Sequence, residues 1–563
     1  CTRGWQARWR VLEGMEGESL EVGLQYGMDH LEGWPDHIER SFKCLVSQWV
    51  HSPPVWWSTV AYLRPETKER RSELEALHLL ADSEHLGHLS FLSLSGCALL
   101  NVEQARALGQ SPHLQQLKGL SLMESWVGLS VLEALVNGPS FSGLEGLDLG
   151  FVELDGETGV DILVSSGLER LVHLSLEECE MGVEALRTLV SAPCMAGLKQ
   201  LNLRANPIGD EGVEALASSP YLRQLTHLNL EHAELGTAGV KALASARGLS
   251  GLTHLGLFAN RIGEEGGLHL AQTTELKSLK YLNLYGCEIG DTGLMAMAES
   301  PAFWGLTHLD VGSNDIGTEG VRALAASPCL EGMVCLGLGS NPMGAEGLKA
   351  LVESKHLASL RSLVMEDGRI GDEGGRLLAQ CPGLASLESL FLWGCGLGSL
   401  GGFALAKSPH LRSLKVLMLE NNNMGGAAVA ALMSSPIIVG VEVLSLVGNG
   451  MGEEGAAALA SSDGLTELVH LALGRNEVGD VGISAIAGSN ALPQLLELSM
   501  HDNPVKKAGA EALLQADALP SLKRLLIFQG KFDAELRQRL KTRFPEHPNM
   551  EPRPFPEVMN PIY

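Results

Sequence analysis

Five histidines, His173, His227, His254, His308 and His470, are separated by multiples of 27 residues. Imidazoles brought side by side could share a metal ion, or sense pH because they titrate near ~6.5. No carboxylate or thiol completes a ligand set around His227 and His254. The sequences Leu225-Thr-His-Leu228 and Leu252-Thr-His-Leu255 read instead as copies of one ancestral L-T-H-L segment. No metal is therefore predicted, and a pH-sensitive surface is the preferred reading. Of the ten cysteines, Cys97, Cys179, Cys287 and Cys395 occupy a recurring slot that Asn206, Asn260 and Asn314 fill elsewhere. There is no CxxC pair and no zinc spacing, and a thiol in a buried slot acts as a small hydrophobe and weak donor. Phosphate-binding GxxxxGK[ST] loops, GxSxG elbows and HExxH helices are missing. Gly396-Leu-Gly-Ser-Leu-Gly-Gly402 is glycine-rich but falls in a turn, not at a strand-to-helix dinucleotide site. Arg204, Glu231 and Asp310 fall on separate strands with no enclosed pocket implied. The expectation is a chain with no catalytic residue, no cofactor and no metal.

These residues are set in a constant frame, L-x-x-L-x-L-x-x-N/C-x-I/L, as in Leu198-x-x-Leu201-x-Leu203-x-x-Asn206-x-Ile208. Seventeen copies run from Leu92 to Leu525, with a first step of 28 residues and every later step of 27. A fixed period in the twenties is the signature of a stacked-repeat solenoid. The alternating L-x-L half reads as a short strand. The half after the slot, as in Gly209-Asp-Glu-Gly-Val-Glu-Ala-Leu-Ala-Ser-Ser219, reads as a helix whose Val213, Leu216 and Ala217 face the leucines. Asp210, Asp291 and Thr318 stand where an N-cap belongs, and Ser219-Pro220 or Ser327-Pro328 stops the helix. Helices are wider than strands, so stacking predicts an α/β leucine-rich-repeat solenoid: a curved horseshoe, parallel strands on the concave face and helices on the convex face. The slot asparagines should form a ladder that satisfies turn backbone.

Three segments follow. Residues 1–58 hold six of the nine tryptophans and read as a helical N-terminal cap. Residues 59–545 form the array, with a degenerate first strand at Val60-Ala-Tyr-Leu63 and a closing helix from Ala534 to Phe544. Residues 546–563 are a proline-rich tail. The formal charge of −26 argues against nucleic acid and anionic membranes as partners. Unpaired thiols favour the cytoplasm. Cys1 reads as the interior of a longer reading frame, with a lipid-anchored start as the lesser alternative.

The motif with its helical half resembles the ribonuclease-inhibitor-like class of leucine-rich repeat proteins. Units such as Asn206-Pro-Ile-Gly-Asp-Glu-Gly-Val-Glu-Ala-Leu-Ala-Ser-Ser-Pro220 look like bacterial proteins with uniform 27-residue repeats. The resemblance covers residues 59–545 and implies a non-catalytic, monomeric module that binds a protein partner on its concave face. The uniform repeat length and sparse cysteines depart from the founding inhibitor, so inhibition of a ribonuclease is not implied. Two alternatives remain open: a regulator of a partner enzyme, activator-like for a GTPase or inhibitor-like, and a recognition arm of an enzyme whose catalytic domain precedes Cys1.

The binding residues should be those beside the middle leucines, which point outward. Phe391, Trp393, Val416, Met418, Val443 and Val447 form an apolar group on neighbouring strands, where solvent exposure would mark an interface. Phe258, Tyr281, Tyr285, His254, His308 and Asp310 form a second, polar–aromatic group.

Overall fold

The computed structural model describes residues 60–62, 81, 91–96, 100–527 and 532–544. The expected N-terminal cap, the slot residue Cys97 and the proline-rich tail lie outside these residues. The chain divides into two compact units: residues 1–261 with 273–278, and residues 262–272 with 279–563.

In each unit three-residue strands pair in parallel with the strands of the preceding and following repeats. The first unit carries strands from Val60–Tyr62 and Phe91–Ser93 to His227–Asn229 and His254–Gly256. Their register keeps equivalent positions opposite, as in Leu201↔Leu228 and Leu228↔Leu255. The second unit runs from Tyr281–Asn283 to Arg524–Leu526, again with Leu390↔Leu417↔Leu444 in line. The middle leucines are buried because alternate strand residues point to opposite sides, and those facing the helices lose contact with water.

Each repeat then turns through the slot. Asn476 shows how this works. Its Oδ1 accepts from the backbone N–H groups of Asn449 (3.0 Å) and Met451 (3.3 Å), while its Nδ2 donates to the carbonyls of Leu446 (2.7 Å) and Gly474 (3.1 Å). Turn backbone of one repeat is thus satisfied by the amide of the next, as a buried polar group requires. Cysteine fills the same slot less completely. The thiols of Cys179 and Cys395 donate to Leu149 O (3.1 Å) and Met365 O (2.9 Å). Burial pushes the Cys179 and Cys395 thiols up to about 12, so they stay protonated.

Helices such as Gly209–Ser218 and Gly290–Glu299 close each repeat. The expected capping role of Asp210 and Asp291 needs correction, because neither is the N-cap of its own helix. Asp210 lies inside the first turn, and its Oδ1 accepts from Gly236 N and Gly239 N (both 2.8 Å) at the start of the next helix, Thr237–Ala244. Asp291 does the same for Gly317 N (2.8 Å) and Gly320 N (2.9 Å) of helix Thr318–Ala326. The carboxylate serves the neighbour because amides at a helix start point outward, toward the preceding repeat. Thr318 is the first residue of its helix, not the cap, and its hydroxyl donates to Met343 O of the following repeat (3.3 Å).

A second ladder runs along the far side. The serine that ends a helix donates to a carbonyl one repeat back, as Ser219 to Val190 O (2.5 Å), Ser408 to Ala379 O (2.7 Å) and Ser462 to Met433 O (2.6 Å). At the C-terminal end the helix Ala534–Arg543 is capped by Asp533, whose Oδ1 accepts from Leu536 N (2.8 Å).

Candidate functional site

The residues that leave the strand face of the second unit do so in columns one repeat apart. Phe391, Met418 and Ser445 are register partners on adjacent strands, as are Val416, Val443 and His470. Beyond the strands the backbone bonds continue: Asp367 N donates to Trp393 O, and Gly394 N to Glu420 O (both 2.8 Å). Glu366, Trp393 and Glu420 therefore form one further column, neighbour to neighbour.

The apolar group predicted here is brought together, but its members are not equally accessible. Trp393 is 49% exposed. Val416, Val443 and Val447 are half-buried. Phe391 is half-buried and packs on the buried pair Cys335 and Val364. Met418, expected to face solvent, is only 8% exposed. Strands in a parallel sheet lie ~4.8 Å apart, so an unbranched side chain hemmed in by larger neighbours is covered by them. Met418 is part of the packing beneath the patch, not its surface.

Around Trp393 the chemistry is acidic. Its indole Nε1 donates to Asp367 Oδ2 (3.4 Å). The Glu366 carboxylate lies flat over Gly339, where a Cβ atom would sit 2.1 Å from its Cδ. Burial pushes Glu366 up to about 7; its own backbone pulls the other way, and Asp310 and Asp367 add to the rise. Burial likewise raises Glu420, with the nearby Ser445 hydroxyl offsetting part of the effect. Oε2 of Glu366 is buried without a well-formed hydrogen bond. Neither Glu366 nor Glu420 is among the contact residues expected from the sequence. The signal for both is their 27-residue step from Trp393.

The second predicted group divides between the units. In the first, His254 stacks on His227 with ring centroids 3.9 Å apart and planes 11° from parallel. Thr226 Oγ1 lies 3.1 Å from Lys199 O and 2.9 Å from His227 Nδ1. A threonine proton given to the carbonyl leaves Nδ1 as the donor of the second bond, so Nε2 carries the lone pair. Burial, then the neighbours His254 and His173, lower His227 to about 4. Phe258 is half-buried, with the His232 ring edge-on at 4.8 Å. In the second unit the Tyr281 and His308 rings are 6.1 Å apart, and Tyr285 lies over Gly312, whose Cβ would meet its ring at 2.5 Å. Asp310 is a correction: it is 3% exposed, because its Oδ1 turns back to accept from Gly312 N (2.9 Å). It supports the turn and does not present a contact.

Among the described residues no group of three or more His, Cys, Asp or Glu is arranged to hold a metal ion. No described helix is long and apolar enough to cross a membrane.

The family model described as Leucine Rich repeat matches residues 198–217, 221–244, 275–298, 306–325, 356–379, 441–460 and 465–487. No curated protein matches the chain. Among solved structures, the TLR13–ssRNA13 complex is similar at 18% identity and a TM-score of 0.37, over 80% of this chain and 62% of that one. This chain thus spans less than two thirds of that protein's length. An internalin from Listeria monocytogenes is similar at 16% identity and a TM-score of 0.28, over 80% and 88% of the two chains. The yeast Rad7–Elc1 complex is similar at 15% identity and a TM-score of 0.39, over 67% and 79%. Seven matched segments and strand–helix units that repeat in register show what this chain is: a leucine-rich-repeat solenoid.

Proposed function

We propose that this protein is a non-catalytic interaction module, and that the strand face of the second unit binds a protein partner through the patch around Trp393. The observation that carries this reading is Trp393 itself, an indole 49% exposed beside half-buried Phe391, Val416, Val443 and Val447. A large aromatic on such a patch is the kind of side chain that anchors an interface. Tyr281, Tyr285 and His308 offer a second contact zone in the same unit, Phe258 and His254 one in the first. The uniform 27-residue repeat with a helix in each unit supports the ribonuclease-inhibitor-like subclass of bacterial type. The buried thiols accord with a cytoplasmic setting.

The test is capture of partners from native lysate by the intact chain and by a Trp393→Ala/Val447→Asn variant with unchanged helical content. A partner held only by the intact chain supports the reading. Equal capture by both would remove the patch from the interface.

A further inference from the structure

The helices of the second unit carry a pattern of their own, on the side turned away from the leucines. In helix Thr318–Ala326 two exposed positions one turn apart hold Glu319 and Arg322, which form an ion pair. The same positions, 27 residues on, hold exposed Glu346 and Lys349 in helix Gly344–Val352. One step further they hold exposed Glu373 and Arg376, again ion-paired, in helix Gly371–Ala379. Residues three apart share a helix face, so three successive helices present an acidic column beside a basic one. The columns then stop. Their places are taken by Leu400 and Phe403 in helix Gly398–Ala406, and by Ala427 and Ala430 in helix Gly425–Met433. Leu400 is 70% exposed, and neither helix contains a charged residue.

We propose that this helix face is the contact between two copies of the chain, packed about a two-fold axis. The face is separate from the strand face proposed for a protein partner, and a dimer departs from the monomer that the resemblance implies.

Two observations select a second copy as the occupant. The first is charge. A two-fold axis that lies in the plane of contact and crosses the helices at right angles reverses helix direction between the copies. Each helix then lies antiparallel on its own counterpart, acidic column over basic column. Glu373 meets Arg376 of the second copy, and Arg376 meets Glu373 of the second copy. Glu346 with Lys349, and Glu319 with Arg322, pair across the contact in the same way. A surface that meets itself with opposite charges at each step is self-complementary, as a two-fold interface requires. An unrelated protein would have to present its charges at the repeat spacing, whereas a second copy does so by construction. The chain's charge of −26 opposes association where the surface is plainly acidic. On this face acids are balanced by bases and then give way to neutral residues.

The second observation is the apolar end of the same face. The same axis brings Leu400 of each copy against Phe403 of the other, and Ala427 against Ala430. Apolar surface that one copy leaves in water is thereby covered. Five helices ~10 Å apart and ~13 Å long cover on the order of 500 Å² per copy. The pair buries about twice that, near the lower limit for a specific interface, so the dimer is expected to be weak.

The test is sedimentation velocity of the full chain over a concentration series. The parent should pass from monomer to dimer as concentration rises through the micromolar range. Leu400→Asp should raise the dissociation constant at least about tenfold. Arg376→Glu leaves two acids on its helix, and Glu373→Arg leaves two bases. Each should self-associate at least about tenfold more weakly than the parent, and an equimolar mixture of the two should dimerise as the parent does. Recovery in the mixture also shows that both variants are folded, and the parent series needs no variant at all. A parent that stays monomeric at every concentration would overturn the proposal and leave the face to another occupant. A dimer indifferent to Leu400→Asp, or a mixture no more associated than its components, would put the contact on a different surface and overturn it too. Partner capture by the Trp393 patch is measured separately and does not depend on either outcome.

Discussion

The histidine pair shows how a repeat changes the chemistry of a single residue. His227 and His254 are one repeat apart, and the sheet places their rings face to face at 3.9 Å. Burial and the neighbouring imidazoles hold His227 near about 4, against an unfolded value of ~6.5. Between those values the unfolded chain binds a proton that the folded chain does not, so stability rises with pH there. The contribution is fully present above pH ~6.5 and is lost as pH falls toward 4. Allowing for the solvent screening of a half-buried ring, the loss is on the order of 1–2 kcal/mol. His227→Gln should therefore lose less urea resistance than the parent between pH 7 and pH 5. The same drop in both chains would assign the effect to other groups. The pattern L-T-H-L announces such a column, and the tautomer follows from Thr226, which only a structure supplies.

Between repeats, the element that matters is the start of each helix. Asp291 reaches across to the amides of Gly317 and Gly320, and Gly320 must lack a side chain because a Cβ there would lie 2.5 Å from the carboxylate. Gly320→Ala raises helix propensity by about 1 kcal/mol but displaces the Asp291 cap, which exposes two amides at a cost of roughly 1–3 kcal/mol. Net destabilisation is expected. Asp291→Ala should cost a similar amount, and the double variant less than the sum, since both remove one interaction. Strict additivity in chemical unfolding would show that the carboxylate and the glycine are not coupled. The G-x-x-G spacing of Gly317 and Gly320 was visible in the sequence, and so was Asp291. That the aspartate serves the following helix was not, because the sequence gives the period but not the direction in which a side chain leans. Met418 and Asp310 were misjudged for the same reason. Their columns were right, but exposure depends on which neighbours lie over them.

Across a whole unit, the fold was legible because every repeat supplies the same contacts to the next, and the slot and leucine positions recur at a fixed interval. Partner chemistry was not legible in that way. The proposed contacts occupy positions the repeat leaves free, and their exposure depends on which neighbours lie over them. The same logic gives a test of repeat equivalence. Removing residues 419–445 takes out one full 27-residue period and joins Met418 to Leu446, so the L-x-L pattern and the slot at Asn449 stay in phase. Stability in stacked repeats is roughly a sum of repeat and nearest-neighbour terms. The shortened chain should therefore fold with unchanged helicity per residue and lose a modest share of its unfolding free energy. In it Val447 takes the place of Glu420 beside Trp393. Removing three fewer residues breaks the phase and should abolish cooperative unfolding. A phase-preserving deletion that still fails to fold would mean that these repeats are not interchangeable, and that the packing of Phe391 and Met418 is specific to its place in the array.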